Sequence, residues 1–89
     1  MANFTGMDIP AVRNLSKQLK SRADEIQTIS QQLTSQLDST PWKGPDRQQF
    51  HGEWNGRYRQ ALSTVVQGLE QASQTAQRNA DEQEQASSR

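Results

Sequence analysis

The sequence predicts an all-α fold: an antiparallel two-helix hairpin, of the helix-turn-helix kind, that pairs as a dimeric four-helix bundle. Apolar residues recur every three or four positions along two long segments, which is the periodicity of one helical face. Between these segments two prolines and a glycine interrupt the pattern once, within Pro41–Pro45. No segment alternates β-branched and polar residues as a strand does. Residues 1–89 are therefore predicted to form one helical hairpin domain.

The first helix is predicted over about residues 8–39. Asp8 can cap its N-terminus, and Pro10 is tolerated in the first turn because the N–H that proline lacks would have no helical partner there. Four of its apolar residues are spaced by seven, the repeat typical of helices that pack along a neighbour. Its apolar positions are Ile9, Val12, Leu15, Leu19, Ala23, Ile26, Ile29, Leu33 and Leu37, and the spacing of seven joins Val12, Leu19, Ile26 and Leu33.

The turn is predicted over about residues 40–44 and the second helix over about residues 45–80. Pro41 forces the residue before it out of the helical conformation, so the first helix ends there. Gly44 allows a flexible entry, and Pro45 suits a first helical position. Beyond about residue 80 the chain is polar, and residues 81–89 are predicted to form a flexible tail. The apolar positions of the second helix are Phe50, Trp54, Tyr58, Ala61, Leu62, Val65, Leu69, Ala72, Ala76 and Ala80.

The composition points to binding rather than to catalysis. Only 30% of the 89 residues are hydrophobic and the mean hydropathy is −1.04, so a lone hairpin buries a small core and a partner is expected to complete it. Ten basic and ten acidic residues cancel, which is unlike the one-signed field of a nucleic-acid binder. No apolar run approaches the ~20 residues that a membrane span needs, and the N-terminus lacks the pattern of a cleavable signal peptide.

No set of residues in the sequence has the pattern of an active site or a metal site. His51 is the only histidine, no cysteine is present, and Glu53 lies two positions away, on a different side of a helix. We therefore predict no enzymatic activity, no metal and no cofactor. Function is assigned instead to the two apolar stripes, which are predicted to supply both the hairpin core and the dimer interface: Val12, Leu15, Leu19, Ile26, Ile29, Leu33, Phe50, Trp54, Tyr58, Leu62, Val65 and Leu69.

The connecting turn carries the tripeptide Trp42-Lys43-Gly44, followed six residues later by Phe50 and then by Trp54. A chain of about one hundred residues with Trp-X-Gly at the only break between two long helices resembles the WXG-hundred family, the ESAT-like proteins of type VII secretion in actinobacteria and firmicutes. The resemblance covers nearly the whole chain. It implies export without a signal peptide, as a folded hairpin dimer that acts as substrate, effector or adaptor. We expect Trp42 to cover the end of the hairpin core at the turn and to contribute to recognition for export.

The family's export signal is a tail motif, Tyr-X-X-X-Asp/Glu, which a membrane-anchored FtsK-like ATPase binds. Asp81 stands where the acidic residue belongs, but Gln77 replaces the expected tyrosine, and the only tyrosine, Tyr58, is elsewhere. One explanation is that a sister subunit supplies the signal, which slightly favours a heterodimer with a sister WXG-family protein over a homodimer. Another is that the export apparatus accepts a looser tail.

Two other functions stay open at this point. One is a cytosolic helical-bundle adaptor that has no role in export. The other is a helical protein that binds membranes or nucleic acid through the basic residues near the turn and at the start of the first helix. Acidic residues interrupt both basic clusters, so no nucleic-acid partner and no stable membrane insertion is expected.

Overall fold

The chain folds into a narrow helical hairpin, described here for residues 6–87 of a computed structural model. Its extents are 66 × 17 × 15 Å. The first arm is α1 (Ile9–Ser39), and the second arm comprises α2 (Pro45–Glu53), one π-helical turn (Trp54–Tyr58, the π segment) and α3 (Arg59–Ser87). Within residues 6–87 there is no strand. The predicted all-α hairpin is confirmed.

Both ends of α1 follow from the residues that flank it. The Asp8 side chain accepts a hydrogen bond from the backbone N–H of Ala11 at 3.1 Å, which satisfies one of the free donors of the first turn. Thr40 lies in the extended region (φ −76°, ψ 128°) because it precedes Pro41. Its hydroxyl donates to the Gln36 carbonyl at 2.6 Å, so a side chain replaces the helical bond that the backbone gives up.

The reversal into the second arm depends on Gly44. Its φ of 113° lies in a region that residues with a Cβ rarely adopt. Pro45 follows as the first residue of α2, where its fixed φ suits the helix and no donor is lost. The Gln48 N–H donates to the Gly44 carbonyl at 3.1 Å and closes the first turn of α2.

The contact between α1 and α3 is made by small side chains. The Ser16 hydroxyl donates to the Ser73 carbonyl and the Ser73 hydroxyl to the Ser16 carbonyl, both at 2.7 Å. Ala23 and Ala80 are 0% exposed. Because these side chains are short, the helix backbones approach closely and the serine hydroxyls find partners in the opposite backbone. The buried residues are Ser16, Ala23, Val66, Ser73 and Ala80.

The second arm differs from the sequence prediction in its middle. A π turn at Trp54–Tyr58 separates α2 from α3, whereas the apolar spacing predicts one continuous helix. A π turn is wider than an α turn, so it shifts the phase of every residue that follows. This shift contributes to which apolar residues of α3 face α1.

The second arm also extends further than predicted. The sequence predicts a flexible tail from residue 81, but α3 continues to Ser87, and the last two predicted tail residues lie outside the described part. Ala80 is buried against α1, and Arg13 on α1 forms ion pairs with Asp81 and Glu84. Glu, Gln and Ala are also good helix formers. The tail prediction is wrong for residues 81–87 because it considered hydropathy and not the ion pairs across the hairpin.

We expect Ala23→Leu to destabilise the hairpin, because the added atoms would enter a contact in which Ala23 is already fully buried. The expected loss in free energy of unfolding is about 1–3 kcal/mol, measured by urea titration at fixed protein concentration. Gln67→Leu is the control, since Gln67 is exposed on α3, and it should change stability by no more than about 0.5 kcal/mol. Equal effects at the two positions would contradict the close contact.

Candidate interaction surfaces: the apolar face and the Trp-X-Gly turn

The structure divides the predicted interface residues into two sets. Six are half-buried between the arms and serve the hairpin: Val12, Leu19, Ile26, Trp54, Leu62 and Leu69. The other six are exposed: Leu15, Ile29, Leu33, Phe50, Tyr58 and Val65. Leu15 is 52% exposed and Val65 is 48% exposed, and exposed apolar side chains that cluster together mark interaction sites. The second set is therefore the candidate binding surface.

The exposed aliphatic residues lie on one side of the hairpin. At ~100° per residue, Leu15, Ile29 and Leu33 fall within about 40° of one another around α1. Leu15 and Leu19 line a shallow groove together with the small residues of α3. Val65 lies close in angle to these small residues on α3. We name this surface the apolar face, consisting of Leu15, Leu19, Ile29, Leu33, Val65, Gly68, Ala72 and Ala76.

The opposite side of the hairpin is charged and polar. Arg13 donates to Asp81 at 2.6 Å and also to Glu84, and Lys20 donates to Glu70 at 3.4 Å across the hairpin and to Asp24 at 2.8 Å within α1. The hydrogen bonds to Asp81 and Glu84 raise the pKa of Arg13 above its ordinary value.

The bonds to Asp24 and Glu70 likewise raise the pKa of Lys20. A raised pKa means that Arg13 and Lys20 are charged at neutral pH and lose their charge only in strongly alkaline solution. The hairpin therefore has one side suited to apolar contact and one side that carries charge.

The Trp-X-Gly turn presents two aromatic rings to solvent. Trp42 is 38% exposed, and its ring lies against that of Phe50 with centroids 5.7 Å apart and planes tilted by 50°. Such tilted pairs are favourable. In the single hairpin Trp42 is therefore partly buried, and its contribution to the end of the core stays a prediction.

The other tryptophan ties the arms together near the turn. The Trp54 indole N–H donates to the Thr34 hydroxyl at 2.8 Å, and that hydroxyl donates to the Ser30 carbonyl at 2.8 Å. The His51 Nε2 atom lies 3.1 Å from Asp38 Oδ1, which adds a polar contact between α2 and the end of α1.

Among residues 6–87 no cluster of side chains could hold a metal ion. Nor does any described helix combine the length and the hydropathy of a membrane span.

The two tail positions lie on the outside of α3. Gln77 is exposed, and Asp81 lies one helical turn further on, paired with Arg13. Tyr58 belongs to the π segment, where the Arg57 guanidinium lies 5.6 Å from its ring centroid. The structure therefore does not bring the only tyrosine near Asp81.

Sequence reasoning missed several residues on which the hairpin depends. Ser16 and Ser73 are polar, so hydropathy does not predict that they are buried. The apolar spacing selects Val65 for the interface, whereas the buried residue is its neighbour Val66. A signal was present: steps of four and three alternate through Val12, Ser16, Leu19, Ala23, Ile26 and Ser30 when serine is allowed as a core residue. Arg13 belongs to the basic residues at the start of α1, and no local pattern indicates its ion pairs, since its partners are 68 and 71 residues away.

Fold and surfaces together define a small all-α hairpin with Trp-X-Gly at its reversal and an unpaired apolar face. A family model described as WXG100, "Proteins of 100 residues with WXG", matches residues 6–88. The chain belongs to this family of ESAT-like proteins associated with type VII secretion, whose members are secreted or secretion-linked and not enzymes. Comparisons with curated proteins and with solved structures found no match.

The two tryptophans should differ in their contribution to stability. Trp42→Ala is expected to lower the free energy of unfolding by only about 1–2 kcal/mol, because the ring is partly solvated. Trp54→Ala should cost about 3 kcal/mol or more, because it removes a contact between the arms and the bond to Thr34. Urea unfolding followed by circular dichroism measures both. A larger loss of unfolding free energy for Trp42→Ala than for Trp54→Ala would show that Trp42 contributes more to the hairpin core than Trp54 does.

Proposed function

We propose that this chain is a type VII secretion substrate, effector or adaptor that acts as a dimer of hairpins through its apolar face. One observation carries the proposal: among residues 6–87, five residues are buried and seven large hydrophobic residues are exposed. A chain of this size buries little surface alone, and a second hairpin would cover the apolar face and complete a four-helix bundle.

Large residues of the apolar face are spaced symmetrically about its centre, which supports pairing by a two-fold axis. Leu15 and Leu33 each lie nine residues from Asp24 on α1. The contacts of Ser16 with Ser73 and of Lys20 with Glu70 run antiparallel, so Asp24 is level with about Val65 on α3. A two-fold axis at that level would place Leu15 of one hairpin opposite Leu33 of the other. Such a pairing uses the same patch twice, as closed dimers do.

The size of the side chains along the second arm supports the same antiparallel pairing. Tyr58 lies seven residues before Val65, and Ala72 lies seven residues after it. On the second arm, the side chains on this side of the hairpin are therefore large toward the turn and small, at Gly68, Ala72 and Ala76, toward the chain ends. Reversing one hairpin against the other would set the bulky part of each beside the shallow groove of the other, which fills space better than a parallel pairing.

The partner is proposed to be a hairpin of the same family. Gln77 stands where the tail motif has tyrosine, which favours a sister protein that supplies the complete tail signal. A second copy of this chain is the alternative. In either case export would proceed without a cleavable signal peptide, after dimerisation in the cytoplasm and docking to a membrane-anchored FtsK-like ATPase. Asp81 would provide the acidic part of the docking tail.

The dimer is tested by placing a charge on the apolar face. Val65→Asp should shift the mass from dimer to monomer, because a carboxylate would be buried without a partner at the centre of the interface. Light scattering is measured on the chain alone and mixed with its sister hairpin. Gln67→Asp is the matched control, since Gln67 is exposed about 200° away around the same helix. Dissociation by both variants, or by neither, would contradict the proposed interface.

Export is tested at Asp81. Deleting the tail would remove folded turns, so a point substitution is the cleaner experiment. Asp81→Asn should reduce the protein in the culture supernatant while its cytoplasmic level is maintained. Glu82→Gln, an adjacent exposed position, is the control and should be exported normally. If the unaltered protein stays in the cells under all conditions, the cytosolic adaptor becomes the better assignment.

A further inference from the structure

The end of α3 is held against the start of α1 by one forked side chain. The Arg13 guanidinium donates through one nitrogen to Asp81, at 2.6 Å, and through the other to Glu84. Asp81 and Glu84 are three positions apart, so they present adjacent carboxylates on one side of the helix. The planar fork of arginine suits two acceptors at once in a way that lysine does not.

Little else attaches this last part of the helix to α1. Ala80 is fully buried and Gln83 is half-buried, whereas the other residues from 81 to 87 are exposed. Alanine and the stem of glutamine bury little apolar surface, so packing stabilises these final turns weakly. Helix ends with few buried contacts open more readily than the rest of a fold. The Arg13 contacts therefore contribute a large share of what holds residues 81–87 against α1.

We propose that Arg13 is a latch that keeps the acidic segment 81–87 folded on α1 and limits the access of a basic partner surface to Asp81. The inference rests on the proposed function, because that function gives Asp81 a partner to bind. A cationic surface must compete with Arg13 for this carboxylate. Arg13, Asp81 and Glu84 are all partly solvated, so salt weakens the latch.

The test compares Arg13→Gln with the unaltered chain by hydrogen exchange resolved to segments. Exposed ion pairs contribute little to stability, so the amides of residues 81–87 should exchange only about three- to fivefold faster in the variant. Residues 16–39 and 59–73 should be unchanged. Raising the salt to ~1 M should accelerate the same segment in the unaltered chain, with no further acceleration in the variant. Carboxypeptidase digestion should likewise shorten the variant faster.

Arg22→Gln is the matched control, because Arg22 forms its ion pair with Glu25 inside α1 and does not contact α3. It should leave exchange and digestion of the tail unchanged. In the native host, Arg13→Gln should be exported at least as well as the unaltered chain.

Unchanged tail exchange in Arg13→Gln, or an equal acceleration in Arg22→Gln, would overturn the latch. Faster exchange together with weaker export would overturn its role in limiting access to Asp81. If the unaltered chain is not exported at all, the proposed function fails, while exchange and digestion still decide whether Arg13 holds the tail.

Discussion

The close approach of α1 and α3 is the constraint on which the rest of this structure depends. It is made by residues with short side chains, and at Ser16 and Ser73 each hydroxyl bonds to the carbonyl of the opposite helix. A pair of buried hydroxyls without such partners would be costly. Because the two serines satisfy each other only when they are level, the contact also defines the register of the hairpin.

A thin core has a direct consequence for function. Side chains as short as Ala23 and Ser73 bring the helices close together, so larger residues such as Leu19 are only half-buried between them. Leu15, Ile29, Leu33 and Val65 are therefore displaced to one side, where they belong to the apolar face. The same close contact that stabilises the hairpin leaves this face exposed, while ion pairs across the hairpin lie on the opposite side.

The two ends of the hairpin expose different side chains. At the turn, Gly44 permits the reversal, and the tilted pair of Trp42 and Phe50 stays partly solvated, so the family's signature residue is accessible to a partner. At the other end, Arg13 ties the acidic tail to α1. Both ends therefore combine a structural role with an exposed group suited to recognition.

The sequence by itself determined the all-α hairpin, the cap at Asp8, the stop at Pro41 and the family, because these depend on local rules and on periodicity. It also predicted most of the apolar residues, but not which of them face the other helix. That division was decided only by tertiary structure, since it depends on the register of α1 against α3 and on the π segment. The folding of residues 81–87 was decided in the same way, because Arg13 reaches carboxylates about seventy positions away, and no local pattern encodes that pairing.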